Sequence, residues 1–136
     1  MVTEEMIKRL PKVDLHHHLD GGVRPQTIIE LADKYEVKLP ETNPDKLAEW
    51  FHRGADRKNL GLYLEGFATV LSVMQSEEAL ERVARETIED LAKDNLAYVE
   101  IRFAPVLHLQ GKLNLEKVVQ SVLRGLEAGR EATGVQ

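Results

Sequence analysis

The chain has 136 residues, of which 43% are hydrophobic and 30% charged, and this is the balance of an ordinary globular domain. A formal net charge of -5 and the lack of cysteine argue against general attraction to nucleic acid or anionic lipid, and exclude disulfides and cysteine-based sites. The charged N-terminus lacks an apolar signal region and no apolar run could span a bilayer, so we expect a soluble cytoplasmic protein with no membrane partner.

The first strand is predicted at residues 13–18, where apolar residues lead into three histidines. A short amphipathic segment at residues 4–10 precedes it and stops at Pro11. Glycines at 21–22 end the strand. Pro25 then opens a helix of about three turns, since apolar residues recur behind it at helical spacing.

Three further helices are predicted in the middle of the chain. Asn43 indicates the start of the first, and the polar residues 52–59 predict a loop after it. Ser76, followed by two acidic residues, is typical of a helix start. Between the loop and Ser76, four apolar residues follow the i, i+3, i+4, i+7 pattern of an amphipathic helix: Leu60, Tyr63, Leu64 and Phe67.

Strict alternation of apolar and polar residues predicts the second strand at residues 96–104. Asn114 begins a last helix, which Gly129 and Gly134 are expected to end. The order of strand, helices, strand and helix implies parallel strands linked by helical crossovers.

Two parallel strands cannot by themselves bury both faces of a sheet. A third strand is expected to begin at residues 135–136, just past the last helix. We therefore expect residues 1–136 to be the N-terminal segment of one larger α/β domain.

The histidine run at residues 16–18 carries the clearest chemical signal. Successive side chains of a strand point to opposite faces, so His16 and His18 share one face and His17 takes the other. Two neutral imidazoles on one face can converge on a divalent cation such as zinc, with further ligands coming from elsewhere. His17 is predicted to be structural, and a histidine tag is disfavoured because the run lies within apolar sequence.

Asp20 lies two residues beyond His18, on the same side if the strand geometry persists. Its carboxylate could bind a sugar hydroxyl, accept a hydrogen bond from a ligand histidine, or cap the next helix. The residues themselves leave these three roles open.

Other polar residues favour less specific interpretations. Glu100 and Arg102 alternate with large apolar residues on the second strand, and a structural ion pair is predicted for them rather than catalysis. His52 and His108 stand alone in polar surroundings and are expected at the surface or at caps. By residue pattern alone, the apolar stripe that begins at Leu60 is core packing.

Three segments together resemble adenosine deaminases, members of the metal-dependent amidohydrolase superfamily. Residues 13–21 resemble the first-strand motif of that family, residues 25–40 its first helix and exit, and residues 98–105 its second strand. The resemblance implies an α/β fold that is the N-terminal portion of a (β/α)8 barrel. A complete barrel of this kind needs about 250 residues.

The resemblance also implies roles for particular residues. His16 and His18 would be two ligands of one Zn2+, with His18 and Asp20 beside the ribose and Asp20 accepting a hydrogen bond from the 5′-hydroxyl. The stripe of the third predicted helix would form part of a hydrophobic gate over a purine nucleoside: Leu60, Tyr63, Leu64 and Phe67.

The reaction so implied is zinc-dependent hydrolysis of adenosine and deoxyadenosine to inosine and ammonia. The remaining ligands, the general acid and the general base are expected beyond residue 136, so no catalytic residue is assigned, and the chain alone is expected to be inactive. The missing C-terminal part of the barrel would be its partner. Alternatives are a deaminase of adenine or another 6-aminopurine compound, and a non-catalytic interaction module.

Overall fold

The computed structural model describes residues 1–56 and 60–136. Within these ranges the helices and strands follow the predicted order, and a 3-10 helix, Pro105–His108, comes after the second strand. The elements are α1 (Glu4–Arg9), β1 (Lys12–His18), α2 (Pro25–Lys34), α3 (Pro44–Asp56), α4 (Leu60–Val73), α5 (Glu77–Lys93), β2 (Leu96–Arg102) and α6 (Leu115–Thr133).

The predicted capping residues begin their helices as expected. Ser76 accepts a hydrogen bond from the Ala79 amide at the start of α5, and Asn114 accepts one from Lys117 at the start of α6. These side chains satisfy amides that have no partner inside the helix. α6 ends at Gly134, whose φ of 83° lies in the left-handed region, where glycine carries no steric cost.

β1 and β2 pair in parallel, with His18 opposite Arg102. The register shifts between Asp14 and His17, where β1 has one residue more than β2 and forms a bulge. On the other edge of β2, the backbone of Gln136 bonds to Ala97 and Val99 at 3.0 and 2.8 Å. This is the position that the sequence predicts for the start of a third strand.

The core lies between the helices and the strand ends. α5 and α6 pack closely along Gly125 and Gly129, which are buried against α5. The residues with the least exposure come from five helices and the end of β1: Leu19, Ile28, Leu31, Leu47, Val73, Met74, Leu80, Val83, Val118 and Val122. In contrast, Val13 and Leu15 on β1 are 60% and 58% exposed.

Two local predictions are wrong. The segment from His52 is not a loop, because α3 continues to Asp56; residues 57–59 lie outside the described part of the chain. Gly129 does not end α6 but lies inside it, where the lack of a side chain lets the helix approach Ile88.

In the described ranges, no helix is both long and apolar enough to cross a membrane.

The close contact of α5 and α6 predicts an inverted response to a glycine substitution. In a helix, Gly→Ala ordinarily stabilises by about 1 kcal/mol. At Gly125 the new Cβ would lie 2.2 Å from the Glu81 carbonyl oxygen and 2.7 Å from Ala84 Cβ. Gly125→Ala is therefore expected to lower the free energy of unfolding by about 1–3 kcal/mol, measured by urea denaturation.

Glu131→Ala, at an exposed position of the same helix, is the control and should change that free energy by no more than about 0.5 kcal/mol. Stabilisation by Gly125→Ala would show that the two helices are not in close contact.

Candidate functional site

The two histidines predicted to share one face of β1 lie side by side at its C-terminal end. Their Nε2 atoms are 3.2 Å apart, and the ring centroids are separated by 5.1 Å. Two nitrogens bound to one tetrahedral zinc at about 2.05 Å are separated by about 3.3 Å. The spacing of His16 and His18 therefore fits one shared cation, and both rings are exposed on the open side of the strand.

Asp14 holds the strand in the shape that presents this pair. Its Oδ1 accepts a hydrogen bond of 2.9 Å from the His16 amide, and its Oδ2 accepts one of 3.0 Å from His17 Nδ1. Both hydrogen bonds lower the pKa of Asp14, and the one from the His16 amide has the larger effect. His17 turns to the opposite, half-buried side as predicted, while the bulge leaves its neighbours on the exposed face.

Asp20 is 3% exposed, and its Oδ1 has no hydrogen-bond partner among the described atoms. That oxygen lies 4.0 Å from His18 Nδ1, beyond hydrogen-bond distance. Burial raises the pKa of the carboxyl group. The N-cap of α2 is Arg24, so helix capping, one of the three roles left open for Asp20, is excluded.

A cavity of about 320 Å³ opens beside Asp20, between α2, α3 and α4. Tyr63 and Phe67 of the predicted gate line it, together with Trp50 and Phe51. The other two gate residues, Leu60 and Leu64, do not line the cavity and are exposed. His52 is exposed as predicted and lies at the cavity wall.

His108 contradicts the prediction of a surface or capping histidine, because it is fully buried. Its Nδ1 donates a hydrogen bond of 2.9 Å to the Met74 carbonyl, and its ring lies 5.9 Å from that of Phe103. The 3-10 helix turns His108 inward and leaves Val106 exposed. Burial lowers the pKa of the imidazole, so that it stays neutral.

The charged residues of β2 lie on the same exposed face as the histidine pair. Arg102 is opposite His18, and the Tyr98 hydroxyl donates to Glu100 at 3.3 Å. The ion pair predicted for Glu100 and Arg102 does not form with any residue that the structure describes.

The donor set near β1 is incomplete for zinc. Among residues 1–56 and 60–136, no group of three or more histidine, cysteine or carboxylate side chains could hold a metal ion. A zinc site has four ligands, so the pair from β1 would supply half of one. Imidazole is a ligand that zinc favours, and the pair fits this role in spacing and chemistry.

Comparison with known proteins places the site in a family context. The model of the adenosine deaminase family matches residues 11–136. Adenosine deaminase from Mycolicibacterium gilvum is 52% identical over 132 residues, which are 96% of this chain and 36% of that protein. The chain thus spans about a third of the length of the curated relatives it matches.

Solved structures share the fold. An adenine deaminase from Arthrobacter aurescens matches with a TM-score of 0.79 and 26% identity, over 93% of this chain and 37% of that one. An amidohydrolase from Burkholderia ambifaria with bound zinc gives 0.78 and 22%, over 99% of this chain and 37% of that one. These neighbours are (β/α)8 barrels, so the predicted fold class, the N-terminal portion of such a barrel, is confirmed.

The buried neutral imidazole of His108 predicts a loss of stability in mild acid. Its pKa in the folded chain lies below the ordinary 6.5, so the unfolded chain takes up the proton first as the pH falls. Because the unfolded state then binds more protons, the free energy of unfolding should decrease between about pH 7.5 and 5.5. Urea denaturation across that range measures the slope.

In His108→Phe, this slope should be smaller, although the variant is less stable at every pH because the Met74 carbonyl loses its donor. His52→Gln, at an exposed histidine, is the control and should keep the wild-type slope. Equal slopes in all three proteins would contradict the assignment of a neutral buried His108.

Proposed function

Since this chain belongs to the adenosine deaminase family, we propose that it supplies part of the active site of a zinc-dependent enzyme. The enzyme hydrolyses adenosine and deoxyadenosine to inosine and ammonia. In this proposal His16 and His18 bind the metal, and Asp20 binds the nucleoside sugar. The observation that carries it is the 3.2 Å separation of the two Nε2 atoms, with His18 Nδ1 4.0 Å from the carboxylate of Asp20, which lines the cavity.

The family and the geometry support a metal at the histidine pair. The two imidazoles fit the ligand spacing of zinc, and the barrel from Burkholderia ambifaria carries zinc. When bound, zinc acts as a Lewis acid and makes water nucleophilic near neutral pH. Asp14 would keep the ligand strand in place, because its carboxylate bonds to the His16 amide and to the His17 ring.

Asp20 and the cavity support a nucleoside as the substrate. The buried Oδ1 of Asp20 lacks a donor, and a sugar hydroxyl supplies one. The aromatic wall formed by Trp50, Phe51 and Phe67 offers apolar surface to a purine ring and excludes water from it. Leu60 and Leu64 lie outside the cavity wall. They would act as gate residues only if a bound ligand drew α4 closer to the cavity.

The general acid and base of the reaction are proposed to come from the rest of the barrel. The acidic residues at the start of α5 do not replace them, because they pair with cations on the helices. Glu77 pairs with Lys117 at 3.1 Å, and Glu78 pairs with Lys34 at 2.5 Å. In this proposal, the chain therefore helps to bind the metal and to orient the nucleoside, and the remaining barrel strands complete the metal site.

Deamination of the free base is the second candidate, favoured by the structural match to an adenine deaminase. The two activities differ at Asp20, since only a nucleoside brings a sugar hydroxyl to its carboxylate. The substrate preference of the full-length protein that carries this chain decides between them.

Asp20→Asn is expected to lower kcat/KM for adenosine by about 10- to 100-fold, because a hydrogen bond to a charged carboxylate is replaced by a weaker one to a neutral amide. Turnover of adenine, measured in parallel by ammonia release, should not show this loss. Glu77→Gln, on the outer surface of α5, is the matched control and should behave as wild type. A preference of the wild type for adenine over adenosine would refute the nucleoside assignment.

The isolated chain is expected to release no ammonia from adenosine and to bind one zinc ion weakly. With two of four ligands, its dissociation constant should be on the order of micromolar or weaker, as measured by isothermal titration calorimetry. Binding should disappear in His16→Ala and in His18→Ala and persist in His52→Ala. Submicromolar affinity, or binding that survives both substitutions, would contradict the proposed ligand pair.

A further inference from the structure

Two buried polar atoms near the histidine pair have no hydrogen-bond partner among the described atoms: Asp20 Oδ1 and His108 Nε2. An unsatisfied buried polar atom is costly and uncommon in folded proteins. Both side chains lie at the C-terminal end of the parallel strands. The Leu19 amide bonds to the Arg102 carbonyl at 2.9 Å, so the residues that follow β1 and β2 stay side by side. The Phe103 ring, just after β2, lies 5.9 Å from that of His108.

The tautomer of His108 follows from its other nitrogen. The Met74 carbonyl can only accept, so the proton of the neutral ring is on Nδ1. Nε2 therefore carries a lone pair and is an acceptor. Neither Asp20 Oδ1 nor His108 Nε2 has a hydrogen-bond partner among the described atoms, so the two side chains do not bond to each other directly.

The two groups are close enough to influence each other. The charge of Asp20 raises the pKa of His108, against the larger effect of burial, and His108 in turn lowers the pKa of Asp20. A water molecule has two O–H donors and can satisfy two acceptors at once, and buried waters commonly bridge such groups.

We propose that His108 is a positioning residue for Asp20: one buried water donates to His108 Nε2 and to Asp20 Oδ1. The bridge holds the carboxylate at an orientation in which its remaining lone pairs face the cavity. The imidazole is in turn fixed by the Met74 carbonyl on α4's C-terminal side. This inference rests on the proposed function, since it gives Asp20 the nucleoside sugar as its ligand.

Two substitutions separate this role from simple packing. In His108→Asn, the amide replaces Nδ1 and can still donate to the Met74 carbonyl, but the acceptor at Nε2 is lost. In His108→Gln, the amide oxygen replaces the Nε2 acceptor, but the bond to Met74 is lost. If His108 only stabilised the fold, the Asn variant would be closer to wild type than the Gln variant in both stability and KM.

The positioning role predicts the opposite order in the kinetics of the full-length protein. KM for adenosine should rise about tenfold in His108→Asn and stay within about twofold of wild type in His108→Gln, with kcat within about twofold in both. For 5′-deoxyadenosine, which lacks the hydroxyl, KM should be the same in all three proteins. Urea denaturation should rank the stabilities in reverse, with the Gln variant lower.

An unchanged KM for adenosine in His108→Asn would overturn the inference and leave the proposed function standing. No turnover of adenosine by wild type would overturn the proposed function instead. A crystal structure then tests the bridge by itself: an ordered water within about 3.2 Å of both Asp20 Oδ1 and His108 Nε2 supports it, and direct contact between the two side chains refutes it.

Discussion

The parallel pairing of β1 with β2 is the constraint on which the candidate site depends. It brings the C-terminal ends of both strands to one edge, with His18 opposite Arg102, and the following residues then meet above that edge. The histidine pair, the buried Asp20 and His108 reach the same region only because of this alignment. In (β/α)8 barrels the C-terminal strand ends carry the active site, and this short sheet already has that polarity.

Much of this architecture could be predicted from the sequence, because its signals are local. Strand alternation identified the face that His16 shares with His18, and Ser76 and Asn114 marked the starts of α5 and α6. The histidine run, Asp20, Tyr63 and Phe67 are where the structure forms the candidate site and its cavity. Periodicity and capping act within a few residues, so a single sequence is enough to read them.

What the sequence did not predict depends on contacts between distant residues. His108 was predicted at the surface or at a cap, yet it is buried, and its Nδ1 donates a hydrogen bond to the carbonyl of Met74, 34 positions earlier. Gly129 is typical of a helix end, yet it lies within α6 because Ile88 of α5 occupies the space beside it. In the same way, nothing near Leu60 indicates which residues of its stripe reach the cavity. That depends on how α4 is placed against α3.

The orientation of Asp20 is held from both sides along the chain. Before it, the Leu19 amide is bonded to β2; after it, Arg24 makes two hydrogen bonds of 2.7 and 2.8 Å to the carboxylate of Asp90 on α5. Only three residues lie between Asp20 and Arg24, so the loop has little freedom to turn the carboxylate outward to water. A buried acid with an unsatisfied oxygen destabilises the fold, and Oδ1 of Asp20 has no donor among the described atoms. The relief must come from a donor that enters from outside the loop, which a water beneath and a sugar hydroxyl in the cavity would both supply.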